Sequence, residues 1–289
     1  RAAKEEDRIK HIDITNTNNG QVFLTYRDVD SLSGFIDEEI KKKPVYDFTA
    51  NDGISHTVWV VSEPEKVQFI VKEFSKIPAV YIADGHHRAA SSAKVGMKRR
   101  KENKNHTGNE EYNFFMATIF GAKQLKILDY NRVVKDLNGN SVEEFLKKTG
   151  LNFDVSPAPS KPYRPTKSKE VGMYLEGKWY ILTAKKGTYD EKDPIESLDV
   201  QILQKNLLDP VLGIKDPRKD ERIDFVGGIR GLEELERLVA SKKFRVAFAM
   251  YPVSLEELMA IADAGKIMPP KSTWFEPKLR SGLVLHLLS

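Results

Sequence analysis

The sequence predicts a mixed α/β protein in which α and β elements form two lobes. Three observations predict this class. Short β-branched and aromatic runs alternate with amphipathic helix patterns, Ser-x-x-Glu pairs stand at predicted helix starts, and a proline-rich stretch interrupts the alternation. The chain has 289 residues, of which 40% are hydrophobic, so it can bury a core without disulfide bonds. We therefore expect a globular protein of one or two domains.

The first strands are predicted from their apolar residues. Residues 21–26 (QVFLTY) follow the turn signal Asn18-Asn19-Gly20, and residues 57–61 (TVWVV) have the same β-branched character. Residues 78–82 (PAVYI) are a short continuous apolar run, which predicts a strand covered on both faces. This third strand leads directly into a glycine turn and a helix pattern.

Helix starts and ends are predicted from capping residues. A serine followed three residues later by a glutamate has the spacing of a capping box, and a glycine ends many helices. The pairs that predict helix starts are Ser62 with Glu65, Ser141 with Glu144, and Ser254 with Glu257. The glycines that predict helix ends are Gly96, Gly150 and Gly265.

The proline-rich stretch at residues 156–169 predicts the boundary between the lobes. Residues 1–155 are then an N-terminal lobe that carries the main motif and is truncated at its start, residues 156–170 are a connection, and residues 171–289 are a C-terminal lobe. A single domain is the alternative. The C-terminal lobe has a βαβαβ pattern, with strands at 223–226, 244–250 and 283–288 and helices at 232–240 and 255–264.

Composition and charge exclude several classes of protein. The chain contains no cysteine, so disulfide bonds, thiolate catalysis, iron–sulfur clusters and Cys-ligated zinc are excluded, and we expect no haem. No apolar run is long enough to cross a bilayer, and a cytoplasmic location without a membrane partner is expected. The oligomeric state is left open by the sequence.

The positive charge is modest and concentrated. Lys and Arg number 46 against 42 Asp and Glu, a net charge of +4. Residues 98–111 bring several basic side chains together in an almost wholly polar stretch, which predicts a solvated, mobile loop. A contact with nucleic acid is the alternative for this stretch, although the low net charge argues against it.

The strongest functional motif follows residues 78–82 and reads Asp84-Gly85-His86-His87-Arg88. A strand that ends at a glycine and opens a helix leaves backbone N–H groups and the positive end of the helix at one place, which suits a phosphate or carboxylate. Gly85 lets the backbone approach a ligand, Arg88 adds a cation, and His86 and His87 offer proton donors or acceptors.

The alternative for this motif is structural. Asp84 is then only a helix cap, Gly85 only a turn, and the remaining residues only exposed polar side chains. A metal site is a weaker alternative, with Asp84 as its one predicted ligand. Adjacent histidines are poor joint ligands, and the sequence supplies no second ligand pair of recognisable spacing.

A second motif covers residues 267–282 and begins with the stiff pair Pro269-Pro270. It gathers cations and hydroxyls in a proline-braced loop, and such a loop can hold an anion. The alternative is a rigid loop that Trp274 and Phe275 anchor to the core. The candidate binding residues are Lys271, Ser272 and Thr273, with Glu276, Lys278 and Arg280 as additional ones.

A third motif, residues 222–228 (RIDFVGG), is a strand that runs into paired glycines. Open α/β sheets bind ligands beyond the carboxyl ends of their strands, so Asp224 and Arg230 are further candidates for a binding site. A glycine pair without a longer fingerprint is also common in plain connections, and alone it does not predict catalysis.

These three motifs together resemble an uncharacterised prokaryotic family that is described only as a domain of unknown function. The resemblance covers nearly the whole chain, including residues 4–8 (KEEDR), and members usually carry a further N-terminal stretch. The Asp-Gly-His-His-Arg turn is also similar to the phosphate-binding turn of the ParB and sulfiredoxin-like superfamily, which includes partition proteins, sulfiredoxin and free-serine kinases. That similarity implies that Gly85, His86, His87 and Arg88 bind the phosphates of a nucleotide.

The function that we expect from these motifs is nucleotide binding with phosphoryl transfer or nucleotide hydrolysis. The expected ligands are ATP or ADP with Mg²⁺, and the substrate is not predicted. Arg88 would hold phosphate, Asp84 would hold the metal or act as a base with His86 and His87, and Lys271, Ser272 and Thr273 would close the site. The alternatives are a non-catalytic module that binds a nucleotide or an anionic metabolite, and a nucleic-acid-associated protein.

Overall fold

The computed structural model describes residues 2–289, so Arg1 of the predicted N-terminal lobe lies outside the described residues. The helices are α1 (Ala2–Thr15), α2 (Asp30–Glu39), α3 (Pro64–Phe74), α4 (His86–Glu102), α5 (Val142–Thr149), α6 (Asp199–Leu203), α7 (Glu233–Ala240) and α8 (Leu255–Asp263). The strands are β1 (Thr17–Asn18), β2 (Val22–Tyr26), β3 (Tyr46–Thr49), β4 (Ser55–Val58), β5 (Tyr81–Asp84), β6 (Ala117–Gly121), β7 (Lys126–Leu128), β8 (Tyr130–Val134), β9 (Phe153–Pro157), β10 (Glu170–Leu175), β11 (Lys178–Ala184), β12 (Ile223–Gly227), β13 (Val246–Met250), β14 (Trp274–Glu276) and β15 (His286–Leu287). The predicted mixed α/β class is confirmed.

The chain divides into two compact units. The first contains the described residues up to Leu125 together with Pro277–Ser289, and the second is Lys126–Glu276. This division differs from the one predicted from the sequence, because the proline-rich stretch lies inside the second unit. Tyr163 is buried there, and Arg164 forms an ion pair with the buried Asp129. Proline content indicated an extended segment, but these contacts attach that segment to the core of its own unit.

The first unit contains a three-stranded sheet in the order β5-β2-β6. The central strand β2 is buried along its whole length, and it pairs antiparallel with β5 and parallel with β6. Helix α4 follows β5 and packs against α1. The sheet and these two helices position the first motif.

Strand β5 differs from its prediction. It is an edge strand of the three-stranded sheet, and Val80, just before it, is 43% exposed. The apolar run therefore does not mark a strand covered on both faces. The Ser62–Glu65 capping box is also wrong, because α3 begins at Pro64 and Glu63 is its N-cap residue without a side-chain hydrogen bond. Proline at the first helical position favours this start.

Helix α4 continues past Gly96, which was predicted to end it. Gly96 is buried, and a Cβ built on it would lie 2.6 Å from the carbonyl oxygen of Tyr112. The glycine therefore serves close packing. The helix extends to Glu102, so the predicted mobile loop at 98–111 begins as helix. Two of its basic side chains, Lys98 and Arg99, form ion pairs with Asp13 on α1.

Substituting Gly96 with alanine is expected to destabilise the protein, even though alanine favours a helix by about 1 kcal/mol. Overpacking against the Tyr112 carbonyl costs about 1–3 kcal/mol, so a net loss is expected in urea unfolding. Gly34 in α2 is the matched control, because a Cβ built there has no atom within 4 Å. Gly34→Ala is expected to stabilise the protein by about 0.5–1 kcal/mol. Equal gains from both substitutions would contradict the packing role of Gly96.

The second unit contains a six-stranded sheet in the order β12-β8-β13-β10-β11-β9. Its core includes the fully buried Phe145, Met173 and Phe248. The predicted capping boxes at Ser141 and Ser254 are both confirmed, with each serine accepting a hydrogen bond from the backbone of the glutamate three residues later. Strands β10 and β11 pair antiparallel as a hairpin.

The predicted βαβαβ pattern of the C-terminal lobe is correct for four of its five elements. Strands β12 and β13 and helices α7 and α8 lie in the second unit, where both strands flank β8. The last predicted strand is wrong for this lobe. Only His286–Leu287 is a strand, and it pairs with β1 in the first unit. The pairing partner is more than 260 residues away in the sequence, and no local pattern indicates it.

Asp199, the first residue of α6, is 7% exposed, and burial raises its pKa from 3.8 to about 6. Its carboxylate accepts a hydrogen bond of 2.8 Å from the backbone of Lys169. Because the folded pKa lies above the unfolded value, Asp199 lowers stability as pH rises, most steeply between about pH 4 and pH 6. At neutral pH this penalty is at most about 3 kcal/mol.

Asp199→Asn is therefore expected to raise the free energy of unfolding more at pH 7.5 than at pH 5, by about 1 kcal/mol. The asparagine oxygen still accepts the hydrogen bond from Lys169. Urea unfolding of both proteins at the two pH values measures the difference. Equal effects at both pH values would show that the ionisation of Asp199 does not contribute.

Within residues 2–289, none of the helices combines the length and the apolar character that a membrane crossing requires.

Candidate functional site

The first motif forms the junction between β5 and α4, as predicted. Gly85 is the N-cap residue of α4 and has φ of 95°, a left-handed conformation that glycine adopts without strain. No side chain caps the first turn of the helix. The correction concerns Asp84: its carboxylate accepts a hydrogen bond of 2.8 Å from the Gly85 N–H and does not cap the helix. Within residues 2–289, the positive end of α4 therefore has no side-chain cap at its N-cap residue.

The side chain of Arg88 folds back over two glycines. A Cβ on Gly85 would lie 2.7 Å from Nε of Arg88, and a Cβ on Gly20 would lie 3.3 Å from its Cδ. Both glycines thus make room for the arginine. Its Nη2 lies 3.5 Å from Asp84 Oδ2, at the limit of a hydrogen bond. Its Nε is buried and has no hydrogen-bond partner in the part of the chain that the structure describes.

Arg88 lines a cleft of about 400 Å³ in the first unit, which we call the Arg88 cleft. Asn18 also lines it and is 3% exposed. The Oδ1 atom of Asn18 accepts from the backbone N–H of Met116 at 3.4 Å, while its Nδ2 donor is buried without a partner. The remaining lining residues are Asp7, Arg8, His11, Ile12, Asn19, Gly20, Ser92 and Ser281.

Two residues that line one cleft, Arg88 and Asn18, therefore each have a buried donor without a partner among the described residues. Buried polar groups in proteins are nearly always hydrogen-bonded, and each exception requires an explanation. The charges around the cleft favour an anion, since Arg8 and Arg88 face it together with a single acidic residue, Asp7. The arrangement is chemically suited to an acceptor-rich anion.

The predicted catalytic residues of the first motif are close to Arg88 in the sequence, but they do not line the Arg88 cleft. Asp84, His86 and His87 are all exposed. Nδ1 of His87 lies 3.8 Å from a carboxylate oxygen of Glu5. The pKa of Glu5 is held below its usual value, first by the hydrogen bond from Lys94 and by the charge of that lysine, with a smaller contribution from His87.

The described residues contain no group of three or more His, Asp or Glu side chains that could hold a metal ion. Asp84 has one carboxylate oxygen engaged by the Gly85 N–H. The first motif therefore offers a metal at most a single carboxylate.

The second motif lies partly on the sheet of the second unit. Ser272 is buried and donates to the carbonyl of Pro269 at 2.7 Å, so its hydroxyl is already engaged. Nζ of Lys271 donates to the hydroxyl of Tyr130 at 3.0 Å. Thr273 is partly buried beside them. Strand β14, which contains Trp274 and the buried Phe275, pairs with β7. These contacts match the structural alternative of an anchored loop.

The additional residues of the second motif are divided between the units. Glu276 accepts a hydrogen bond of 2.8 Å from the indole of Trp274 in the second unit. Lys278 and Arg280 belong to the first unit, where Arg280 forms an ion pair with Asp52. The prediction that Lys271, Ser272 and Thr273 complete the site of the first motif stays a prediction.

The paired glycines of the third motif are packing positions. A Cβ on Gly227 would lie 2.5 Å from the ring of Trp274, and a Cβ on Gly228 would lie 2.5 Å from a carboxylate oxygen of Asp129. Asp224 is exposed and accepts from the N–H of the next residue at 2.7 Å. Arg230 is exposed at the end of a short 3₁₀ helix. The space beside these glycines is therefore filled by the side chains of Trp274 and Asp129, and the glycines do not cradle a phosphate.

Sequence reasoning missed most of the Arg88 cleft. Asn18 and Gly20 were interpreted only as a turn, and Arg8, His11 and Ser92 were not singled out. The i, i+4 spacing of Arg88 and Ser92 does place them on one face of α4. The contribution of α1 and the β1–β2 turn depends on tertiary packing, which no local pattern indicates.

The elements and the cleft define a mixed α/β protein with an arginine-lined cleft beside the junction between a strand and a helix. The family described as "Protein of unknown function (DUF1015)" matches residues 1–201. The chain belongs to this family. No curated protein matches the chain.

Solved structures resemble the chain at low identity. A free serine kinase in complex with AMP is 12% identical, with a TM-score of 0.41 and coverage of 94% of this chain and 79% of the other. A conserved hypothetical protein from Pyrococcus furiosus is 14% identical, with a TM-score of 0.38 and coverage of 95% and 83%. SbnI with C-terminal truncation, from Staphylococcus aureus, is 12% identical, with a TM-score of 0.38 and coverage of 97% and 78%. At these scores the function must be argued from the residues of this chain.

Proposed function

We propose that the protein binds a nucleotide through its phosphate groups in the Arg88 cleft. One observation carries this proposal: Arg88 and Asn18 line the same cleft, and each has a buried donor, Nε and Nδ2, without a hydrogen-bond partner among residues 2–289. A phosphate oxygen accepts several hydrogen bonds at once and carries the charge that a guanidinium prefers. It would satisfy both donors.

The surroundings of the cleft support a phosphate over a neutral ligand. The N-terminal turn of α4 begins beside Arg88 without a side-chain cap, and the positive end of a helix favours anions. The cleft volume of about 400 Å³ lies within the range of small-molecule sites. We further propose that residues 84–88 form a phosphate-binding turn of the ParB and sulfiredoxin-like type.

We propose phosphoryl transfer or nucleotide hydrolysis as the reaction. Phosphoryl transfer depends mainly on positioning and charge neutralisation, so it requires cations and backbone amides more than a nucleophilic side chain. Arg88 and the amides of His86 and His87 would hold the phosphates. The exposed Asp84, His86 and His87 would supply the acid and base groups at the mouth of the turn.

ATP or ADP is the proposed nucleotide, with Mg²⁺ as its counter-ion. Mg²⁺ in phosphoryl-transfer sites is usually held by one or two carboxylates together with the phosphates. Asp84 is the carboxylate that this turn offers. One of its oxygens accepts from the Gly85 N–H and the other lies 3.5 Å from Arg88 Nη2, so the protein would contribute one ligand at most and the nucleotide the others.

A non-catalytic binding module is the second candidate. The observation that favours it is the position of Asp84, His86 and His87, which are exposed and are absent from the lining of the Arg88 cleft. In this case the same contacts would hold a nucleotide or an anionic metabolite without turnover.

Calorimetric titration of AMP, ADP and ATP, each with and without Mg²⁺, tests the proposal. Binding of at least one nucleotide is expected, and failure of all three to bind would overturn the proposal. Incubation of the bound nucleotide with candidate acceptors, followed by phosphorus NMR, then separates the two candidates. Release or transfer of a phosphoryl group supports the enzyme, and binding without any product supports the module.

A further inference from the structure

The second unit contains a cavity of about 470 Å³ that includes Phe225 of the third motif and Pro269 and Pro270 of the second in its lining, but none of the candidate binding residues of these motifs. Arg132 of β8 lines it, and we call it the Arg132 cavity. The other lining residues are Val200, Gln201, Gln204, Leu208, Lys215, Asp216, Pro217, Arg218, Phe225, Pro269 and Pro270. All of them belong to the second unit.

Arg132 is 4% exposed, and its partners are neutral. Its guanidinium donates to the backbone carbonyls of Tyr130 and Lys271, and it lies 5.7 Å from the centre of the Phe225 ring. Among residues 2–289, no carboxylate lies within ion-pair distance of it. Burial lowers the pKa of Arg132 to about 10, so it is still charged at neutral pH. A charge buried without an opposite charge is costly and uncommon in proteins.

The guanidinium also has donors to spare. An arginine side chain carries five N–H donors in a planar fork, and the two carbonyl oxygens engage one each. The remaining donors can bind an oxyanion that enters the cavity. A carboxylate or phosphate group matches the fork because its oxygens accept parallel hydrogen bonds.

The other charged residues of the cavity favour an anion as well. Lys215 is exposed at the wall and has no ion pair within the described part of the chain. Arg218 forms a two-point ion pair with Asp216, at 2.9 and 3.0 Å, so these two charges neutralise each other. Arg132 and Lys215 thus remain as two uncompensated cations.

One wall of the cavity has an unusual backbone conformation. Residues Gln204–Leu208 form a π-helical turn after α6. Turns of this kind are rare and occur frequently at functional sites. The amide of Gln204 donates to the carbonyl of Ile214 at 2.6 Å and thereby fixes this wall against the loop that carries Lys215.

We propose that the Arg132 cavity is a second ligand site, which binds a small metabolite through an oxyanion group, either a carboxylate or a phosphate. Arg132 binds the oxyanion from the floor of the cavity, and Lys215 adds a second cation at the wall. The Arg132 cavity belongs to the second unit, whereas the Arg88 cleft belongs to the first. The proposal therefore does not depend on the function proposed for the Arg88 cleft. The ligand replaces the acidic partner that the buried guanidinium lacks.

Calorimetric titration of the full chain with malonate and with inorganic phosphate, at constant ionic strength set by chloride, tests this site. The wild-type protein is compared with Arg132→Met, and Arg245→Met is the matched control, because Arg245 is half-exposed and paired with Glu176 elsewhere in the same unit. Arg132→Met is expected to weaken binding at least about tenfold, and Arg245→Met to leave it unchanged. The stronger of the two probes identifies the oxyanion class.

Arg88→Met distinguishes the two sites, since it is expected to leave the binding that depends on Arg132 intact. If Arg132→Met does not fold, Lys215→Ala serves as a second variant, because Lys215 is exposed. This variant is expected to bind malonate or phosphate about threefold more weakly, or weaker still. Unchanged affinity in the folded Arg132 variant, or in the Lys215 variant where it takes its place, would overturn the proposal. Binding of neither probe to the wild-type protein would do the same.

Discussion

Nucleotide binding is expected to weaken about thirtyfold or more when Arg88 is replaced by methionine. Methionine keeps much of the side chain's length and apolar contact but removes every donor and the charge. The buried Nε donor has no hydrogen-bond partner among residues 2–289, and it is the group that a phosphate would satisfy. The substitution is therefore expected to destabilise the complex with the nucleotide and not the free protein. Calorimetric titration of the nucleotide measures the loss of affinity.

Arg100→Met is the control for this prediction. Arg100 lies on the same helix in its last turn and is exposed, so its substitution makes the same change in net charge far along α4. We expect less than about a threefold effect, since an exposed charge at that distance is screened. Equal losses in both variants would show that general electrostatic attraction, and not the Arg88 cleft, binds the nucleotide.

The stability of the Arg88 variant gives an independent check. A buried donor without a partner destabilises the free protein by about 1–3 kcal/mol. Its removal is therefore expected to leave the free energy of unfolding unchanged or higher. A variant that binds nucleotide weakly and remains fully stable cannot have lost binding through unfolding.

The fold was predictable wherever a local interaction decides the structure. The capping boxes at Ser141 and Ser254 depend on atoms three residues apart, and both form. The prediction failed where tertiary contacts decide. The pattern predicts a helix end at Gly96, but this residue lies within α4. A glycine is needed there because the Tyr112 carbonyl leaves no room for a Cβ. His286–Leu287 reads as part of the C-terminal lobe but pairs with β1.

The candidate site was predictable only in part for the same reason. Arg88 follows a glycine turn between a strand and a helix, and this order is visible in the sequence. Asn18 lies 70 residues earlier in the chain, and only the packing of β1 and α4 shows that its Nδ2 donor is buried without a partner among the described residues. Likewise, nothing in the sequence distinguishes Arg132 from an ordinary strand residue. Only the structure shows that it is buried and that no carboxylate among the described residues pairs with it.

The paired glycines of the third motif show how a sequence signal for phosphate can have a structural origin. Gly228 leaves space for the side chain of Asp129, which lies between β7 and β8 and is 2% exposed. Its two carboxylate oxygens accept from Arg164 and from Asn131, each at 2.6 Å. Asn131 in turn accepts from the backbone N–H of Met250 at 2.9 Å. A buried network therefore connects β8 and β13.

Asp129→Ala is expected to lower the free energy of unfolding by about 3 kcal/mol or more. The substitution removes a buried charge from its partner, leaves the Asn131 amide without an acceptor and opens space beside Gly228. Urea unfolding measures the loss. Asp154→Ala is the control in the same unit, because Asp154 is 76% exposed and 4.0 Å from Lys185, and a change within about 0.5 kcal/mol is expected there.

Asp129→Asn separates the charge from the hydrogen bonds of this network. The amide keeps the shape and one acceptor oxygen, so Asn131 and Arg164 cannot both be satisfied, and a loss of about 1–2 kcal/mol is expected. If the alanine variant were no less stable than the Asp154 control, the network would be a consequence of the fold and not a source of its stability. The paired glycines would then have no packing role that stability depends on, and the third motif would have to be reconsidered as a ligand-binding turn.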